Sequence, residues 1–217
     1  GKRAFANNDM LENVIINNNN QLKIIEFNAF DGCINLSDFD FSKLNNLEII
    51  GAQAFMRCEN LLIVDLSSLT SLTEIGNEAF SQCVFTNIEL PINLTTLGLG
   101  ALSYCNSLYN IEVVEGNSKY KSIDGVLLSK DGTELIAYPA GNASNSYIFS
   151  ESIINISNYA FIGASNLENI TFSSSLEKIG YGAFAFCSSL GEIVLPESIR
   201  EIGSGAFYGC NLTSVKF

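Results

Sequence analysis

The sequence predicts a solenoid, a fold in which the chain winds through stacked coils of similar structure. The first observation is a motif, Ala-Phe-x-x-Cys, that recurs along the chain. Its Phe positions are spaced by 25, 25, 25, 22, 59, 23 and 23 residues. The second observation is an alternating apolar segment ahead of each copy. A period in this range is typical of folds in which each repeat forms one coil.

Most copies of the motif are complete. These are Ala29-Phe30 with Cys33, Ala54-Phe55 with Cys58, Ala79-Phe80 with Cys83, Ala183-Phe184 with Cys187, and Ala206-Phe207 with Cys210. The altered copies are Ala4-Phe5, Ala101-Leu102 with Cys105, and Ala160-Phe161 with Ala164. We interpret the Ala-Phe pair as the return of the chain across the coil, with the aromatic ring filling its interior.

The segment ahead of each motif predicts a short strand. In the copy from Leu190 to Pro196, β-branched and apolar residues alternate with outward positions. Such alternation indicates a strand with one buried face, and stacked copies would form a parallel sheet with strands about 4.8 Å apart. The following Ile-Gly step, as at Ile202-Gly203, predicts a turn in which glycine supplies backbone freedom.

The six cysteines occupy the same place in their repeats. In a stack of coils they would form one inward-facing column whose side chains point the same way, which is poor geometry for a disulfide bond. We therefore predict reduced, buried cysteines that act as small core residues.

The long interval between Leu102 and Phe161 predicts an interruption of the repeats. We expect a β-hairpin there, with strands at Val126–Ser129 and Glu134–Tyr138 joined by a turn that contains Asp131-Gly132. We place this hairpin insertion at about residues 114–146.

Written as LxxIxLPxxIxxIGxxAFxxC, the consensus resembles the BspA-like leucine-rich repeats of microbial cell-surface proteins over essentially the whole chain. The resemblance implies a leucine-rich-repeat solenoid, a right-handed α/β-type superhelix of mostly β and irregular structure, with a curved parallel sheet on its concave face. It implies one domain over residues 1–217 with about nine coils. It also implies an extracellular, surface-exposed recognition protein with no catalytic residues. The first three full repeats depart from the consensus by a longer turn, which includes residues 17–20.

Composition limits the partners. The net charge is -12 with only 11 basic residues, which argues against nucleic acid and anionic membranes because both are bound through Lys and Arg. No apolar run reaches the roughly 18 residues of a membrane-spanning helix. The sequence predicts no cofactor. We expect a signal and an anchor outside this chain, a longer repeat array, and a monomer that can associate end to end through uncapped coils.

The candidate interaction face consists of outward positions on the predicted strands, and we call it the strand face. Asp40, Asp65, Glu89 and Glu112 form a predicted column of four carboxylates, and like charges at strand spacing repel one another. Apolar side chains lie beside this column. The full set is Asp38, Asp40, Leu62, Ile63, Asp65, Asn87, Glu89, Tyr109, Asn110 and Glu112.

Several functions are compatible with this face. It is a solvated acidic surface, a recognition surface for a basic or polar protein patch, or a calcium site, although a linear row of carboxylates rarely converges on one ion. A passive spacer in a larger surface protein is a further alternative. Catalysis is disfavoured because the chain contains no histidine. In addition, Lys216, the basic residue among the outward strand positions, is many coils from the carboxylates. A calcium-dependent polysaccharide-acting enzyme is thus the weakest interpretation.

Overall fold

The computed structural model describes residues 1–17 and 21–217. Its strands are β1 (Asn13–Val14), β2 (Ile24–Ile25), β3 (Asp38–Phe39), β4 (Ile49–Ile50), β5 (Val64–Asp65), β6 (Glu74–Ile75), β7 (Asn87–Leu90), β8 (Thr96–Leu97), β9 (Asn110–Val113), β10 (Tyr120–Ile123), β11 (Val126–Ser129), β12 (Glu134–Ala137), β13 (Ser146–Ile148), β14 (Asn155–Ile156), β15 (Asn169–Thr171), β16 (Lys178–Ile179), β17 (Glu192–Val194), β18 (Glu201–Ile202) and β19 (Ser214–Lys216). The helical structure in this part of the chain is one 3₁₀ helix at Phe41–Lys43. No helix among these residues has the length and apolarity that a bilayer crossing requires.

The predicted strands stack in parallel, which confirms a solenoid of parallel-strand coils. They pair as β1-β3, β5-β7-β9, β13-β15 and β17-β19. Equivalent repeat positions face each other, as in the pairing of Ile88 with Ile111 and of Ile193 with Val215. Each strand is only two to four residues long, so this side of the solenoid consists of several short sheets rather than one continuous sheet.

A second series of strands lies where the sequence predicted a turn, so that prediction was wrong. The Ile residues before the repeated Gly belong to two parallel ladders, β2-β4-β6-β8 and β12-β14-β16-β18. The glycine does not adopt a left-handed backbone. Instead, a Cβ on Gly76 would lie 2.4 Å from the Ala52 backbone nitrogen, and one on Gly203 would lie 2.4 Å from that of Tyr181. Glycine is therefore required because adjacent coils approach closely there.

The Ala-Phe return forms a third coil-to-coil ladder, although it is not a strand. The Phe30 amide donates to the Ala54 carbonyl oxygen at 2.7 Å, and the Phe55 amide donates to that of Ala79 at 2.8 Å. The same bond joins Phe184 to Ala206 at 2.7 Å. All three sides of a coil thus bond to the next coil, so the buried backbone groups are paired.

The Phe rings form two stacks inside the solenoid. Phe5, Phe30, Phe55 and Phe80 stack with centroids 5.0, 5.2 and 5.4 Å apart. The second stack is Tyr138, Phe161, Phe184 and Phe207, with centroids 4.8, 4.7 and 5.2 Å apart. Tyr138 stands 23 residues before Phe161, the same interval as between the later Phe residues, so Ala137-Tyr138 is an altered copy of the motif. This interval is present in the sequence, but the copy at Ala137-Tyr138 was not predicted.

The six cysteines are free, and five of them are buried, as predicted. Each thiol donates a hydrogen bond to the Phe carbonyl oxygen of the preceding coil, with S···O distances of 3.0 to 3.3 Å. Burial raises the pKa of the Cys105 thiol to about 12. Cysteine thus fills core space and satisfies a backbone acceptor.

The predicted hairpin is present and forms part of the core. β11 pairs with β12 in antiparallel orientation, and β10, which was not predicted, pairs with the other edge of β11. Leu127 packs into the core cluster of the first coils, whereas Val126 and Leu128 pack into that of the later coils. β12 also pairs in parallel with β14. We therefore assign Glu134–Ala137 to a coil rather than to an insertion.

Two positions adopt a left-handed backbone in every coil that carries Ala-Phe or Ala101-Leu102: the residue before Ala and the second residue after Phe or Leu. Polar residues such as Asn28 (φ 53°) and Gln53 (φ 56°) occupy the first position, and glycine occupies it at Gly182 and Gly205. This conformation costs roughly 1–2 kcal/mol for a residue with a side chain. Three aromatic residues nevertheless adopt it: Tyr104 (φ 56°), Tyr159 (φ 61°) and Phe186 (φ 61°).

The close approach of the coils predicts that Gly76→Ala destabilises the protein by about 1–3 kcal/mol, since the methyl group would meet backbone atoms. The matched control is Gly191→Ala, because a Cβ there meets no atom within 4 Å. We expect the control to change stability by no more than about 1 kcal/mol. Urea unfolding of both variants measures this, and equal stability of the two would contradict the close-approach explanation.

The thiol environment predicts a characteristic reaction with an aromatic disulfide reagent at pH 8. Cys210 is half-buried and should react first in the native protein, whereas the five buried thiols should react only as the protein unfolds. The denatured chain should titrate six thiols. Fewer than six after unfolding, or rapid native reaction of several thiols, would overturn this interpretation.

Candidate functional site

The strand face is held by the ladder β5-β7-β9. Asp65 pairs with Glu89, and Glu89 pairs with Glu112, so three carboxylates stand on adjacent strands at the same register. A shallow depression of about 310 Å³ lies over this ladder. Its lining residues are Leu62, Ile63, Val64, Asp65, Ser67, Asn87, Glu89 and Glu112. Asp38, Asp40, Tyr109 and Asn110 do not line it.

Two of the predicted carboxylates are occupied by local hydrogen bonds. Asp40 caps the 3₁₀ helix by accepting from the Ser42 backbone nitrogen at 3.1 Å and from the Ser42 hydroxyl. Asp65 accepts from the Ser67 nitrogen at 3.1 Å and from its hydroxyl at 2.7 Å. These aspartates support turns that precede Leu44 and Leu69. These local hydrogen bonds of Asp40 and Asp65 were not predicted from the sequence.

The longer turns of the first repeats explain these aspartates. The turn with Ser42 contains the 3₁₀ helix, and short side chains at Asp40 and Asp65 reach the backbone two residues ahead. In the next coil Pro91 follows the strand, and the equivalent position is Glu89. The longer turn predicted for the first coil, at residues 17–20, falls on residues 18–20, which lie outside the described residues.

The centre of the face retains an unneutralised negative charge. Glu112 accepts a hydrogen bond from Asn110 Nδ2 at 2.8 Å. The Glu89 side chain stands between those of Asp65 and Glu112. Its carboxylate makes no hydrogen bond or ion pair with any of the described residues. The ion pairs found in this part of the chain lie elsewhere, for example between Lys23 and Glu48 and between Arg57 and Asp31. Adjacent like charges on strands are destabilising, so this arrangement favours a cationic group from outside.

Apolar side chains stand at the rim of the carboxylates. Leu62 is 62% exposed and Ile63 is 73% exposed, and both line the depression. Tyr109, which is 55% exposed, precedes the strand that carries Glu112. Within the described residues, no group of three or more His, Cys, Asp or Glu side chains has an arrangement that could hold a metal ion. The site is therefore a row of carboxylates beside apolar side chains.

The face changes character beyond the hairpin. The positions equivalent to Glu89 and Glu112 in the later coils are Ile148, Thr171 and Val194, and β13 pairs with β15 rather than with β9. Ile148 and Val194 are exposed. None of these residues belongs to the strand face predicted from the sequence. The acidic part of the face is therefore confined to the coils before the hairpin.

The chain is similar to several solved bacterial structures. The pneumococcal vaccine antigen PcpA matches with 30% identity over 93% of this chain and 55% of that chain, with a TM-score of 0.76. A leucine-rich repeat protein from Eubacterium ventriosum matches with 26% identity over 90% of this chain and 57% of that chain, also at 0.76. A leucine-rich cell surface protein from Faecalibacterium prausnitzii matches with 25% identity over 99% of this chain and 69% of that chain, at 0.70.

The chain thus spans little more than half the length of the first two structures. A search of curated protein sequences found no match. The family model for the BspA type leucine rich repeat region matches six copies, over residues 23–125 and 136–217. The matched segments include the Ala-Phe motifs and both aromatic stacks from Phe30 onward, and residues 126–135, which contain β11 and the start of β12, lie between them. The chain therefore belongs to the BspA-type leucine-rich repeat family.

Proposed function

We propose that the chain is a non-catalytic recognition module that binds a protein partner through the acidic part of the strand face. The observation that supports this most strongly is the unpartnered Glu89 carboxylate between Asp65 and Glu112, with exposed Leu62 and Ile63 beside it. A row of like charges is relieved by a basic group, and exposed apolar side chains are stabilised by burial. A protein surface supplies both.

The two components make different contributions to binding. Burial of Leu62 and Ile63 is worth about 1.5–3 kcal/mol each, which is enough for these residues to act as anchors. The carboxylates contribute mainly to association rate and specificity, since complementary charge steers the encounter and is screened by salt. The partner surface is therefore basic around an apolar centre.

We further propose that the chain acts outside the cell, on a cell surface. This rests on the family and on similarity to proteins whose titles describe a vaccine antigen and a cell surface protein. The alternative of a passive spacer makes the opposite prediction for the strand face, namely that substitutions there change no binding.

The proposal predicts that removing two charges weakens binding without affecting the fold. The variant is Glu89→Gln with Glu112→Gln, and its matched control is Glu59→Gln with Glu197→Gln, two exposed carboxylates outside the strand face. Purified extracellular proteins that the immobilised chain retains would be used as partners. Their binding affinity would be measured for the original chain and for both variants. We expect roughly tenfold weaker binding for the first variant at low salt, with a smaller salt dependence, and no change for the control.

The apolar anchor predicts a second, separable effect. Ile63→Ser should weaken the same complexes by about tenfold or more at every salt concentration, because the lost energy is burial rather than charge. Ile15→Ser is the matched control, since Ile15 is also exposed and does not line the depression. Complexes that tolerate both the charge and the Ile63 substitutions would favour the spacer.

A further inference from the structure

A second surface feature lies beside the Ala-Phe returns, between Tyr104 and Tyr208, and shares no residue with the strand face. Four tyrosines and one phenylalanine line a pocket of about 410 Å³, and we call them the aromatic patch: Tyr104, Tyr159, Tyr181, Phe186 and Tyr208. Tyr181, Phe186 and Tyr208 are 49, 43 and 67% exposed. Large aromatic side chains left at this exposure in one cluster mark a recognition site more often than a solvated surface.

Neighbouring rings in the aromatic patch form two nearly perpendicular pairs rather than a parallel stack. Tyr159 and Tyr181 have centroids 5.2 Å apart at an angle of 84°, and Phe186 and Tyr208 are 5.4 Å apart at 84°. Tyr104 contacts Phe186 at 5.9 Å. The stacks inside the solenoid have nearly parallel rings, so this arrangement is a different use of aromatic residues.

The backbone holds three of these rings in place before any ligand binds. Tyr104, Tyr159 and Phe186 occupy left-handed positions that glycine or asparagine adopts with less strain. A Cβ on Gly182 would lie 3.0 Å from Tyr159 Cδ1, and one on Gly209 would lie 2.8 Å from Phe186 Cδ1. These rings therefore lie directly against glycines of the next coil. Because the same two positions are left-handed in other coils, the scaffold itself fixes the backbone from which these rings project.

The electrostatic environment of the patch is negative. Glu78 flanks it, because Glu78 Cγ and Tyr159 Cδ2 lie 3.6 and 3.5 Å from the Cβ position of Gly100. Burial and then the Glu78 carboxylate raise the pKa of Tyr104, and burial, Tyr181 and then Glu78 raise that of Tyr159. No Lys or Arg lines the pocket. One Glu78 oxygen accepts from Gln53 Nε2 at 2.6 Å, which leaves the second for a ligand.

From these contacts we propose that the aromatic patch binds an arginine side chain on a basic segment of a partner protein. Aromatic faces attract cations, and the planar guanidinium both stacks on rings and donates to a carboxylate such as Glu78. The net charge of -12 steers a basic segment toward the chain. This site is independent of the proposed function, since none of its residues belongs to the strand face.

The test compares two synthetic peptides on the full chain, acetyl-GRGRG-amide and the same peptide with citrulline in place of arginine. Citrulline keeps the planar shape and removes the charge. Because the chain contains eight tyrosines and no tryptophan, tyrosine fluorescence reports binding directly. We expect saturable binding of the arginine peptide at about 1 mM or below and at least roughly tenfold weaker binding of the citrulline peptide.

Variants locate the site. Tyr181→Leu with Tyr208→Leu keeps apolar area but removes ring faces at two positions that are not left-handed, and it should weaken arginine-peptide binding roughly tenfold. Glu78→Gln should weaken binding several-fold and reduce its salt dependence. Phe217→Leu, which changes an exposed aromatic residue outside both the aromatic patch and the strand face, is the control and should have no effect. Equal binding of the two peptides, insensitivity to the double variant, or binding of a neutral oligosaccharide instead of either peptide would overturn the proposal.

Discussion

The structure depends on a common spacing between coils. The stacked Phe rings lie 5.0 to 5.4 Å apart in the first half, close to the roughly 4.8 Å separation of hydrogen-bonded strands. Ring stacking and backbone hydrogen bonding are therefore satisfied at the same distance, and each coil with a complete motif adds one ring, one thiol and three sets of backbone bonds. Glycine after the second strand permits this approach, since any Cβ at Gly76 or Gly98 would push the coils apart.

This spacing also determines what the surface can do. Residues at the same repeat position lie side by side on neighbouring coils, so Asp65, Glu89 and Glu112 stand in a row without converging on one point. The turns then make the carboxylates different from one another. The aspartate side chains accept hydrogen bonds from the longer turns, whereas the Glu89 carboxylate has no partner among the described residues. The same repetition places aromatic residues of several coils in one patch at Tyr104, Tyr159 and Phe186. Two surfaces of different chemistry thus arise from one scaffold.

Much of the fold could be predicted because the motif specifies the buried side chains directly. Strand positions, the free cysteines and the hairpin strands at Val126 and Glu134 followed from alternation and turn residues. The second ladder could not be found this way, since a two-residue strand such as Ile49–Ile50 has no alternation and its glycine has the same sequence signature in a turn. The hydrogen bonds of Asp40 and Asp65 and the left-handed aromatic positions depend on local backbone geometry. The position of Tyr138 fits the repeat interval, but the motif was not recognised there because Tyr replaces Phe.

Native-state hydrogen exchange tests most directly whether the closely spaced coils are hydrogen-bonded to one another as one cooperative unit. The amides of Phe30, Phe55, Phe80, Phe161 and Phe184 lie in irregular returns, yet each donates to the next coil. If the three ladders and the ring stacks form one cooperative unit, these amides should exchange only through large-scale unfolding, with protection equal to that of strand amides such as Ile88 and Ile193. Exchange of the Phe amides at the rate of exposed turns would contradict this account of the fold.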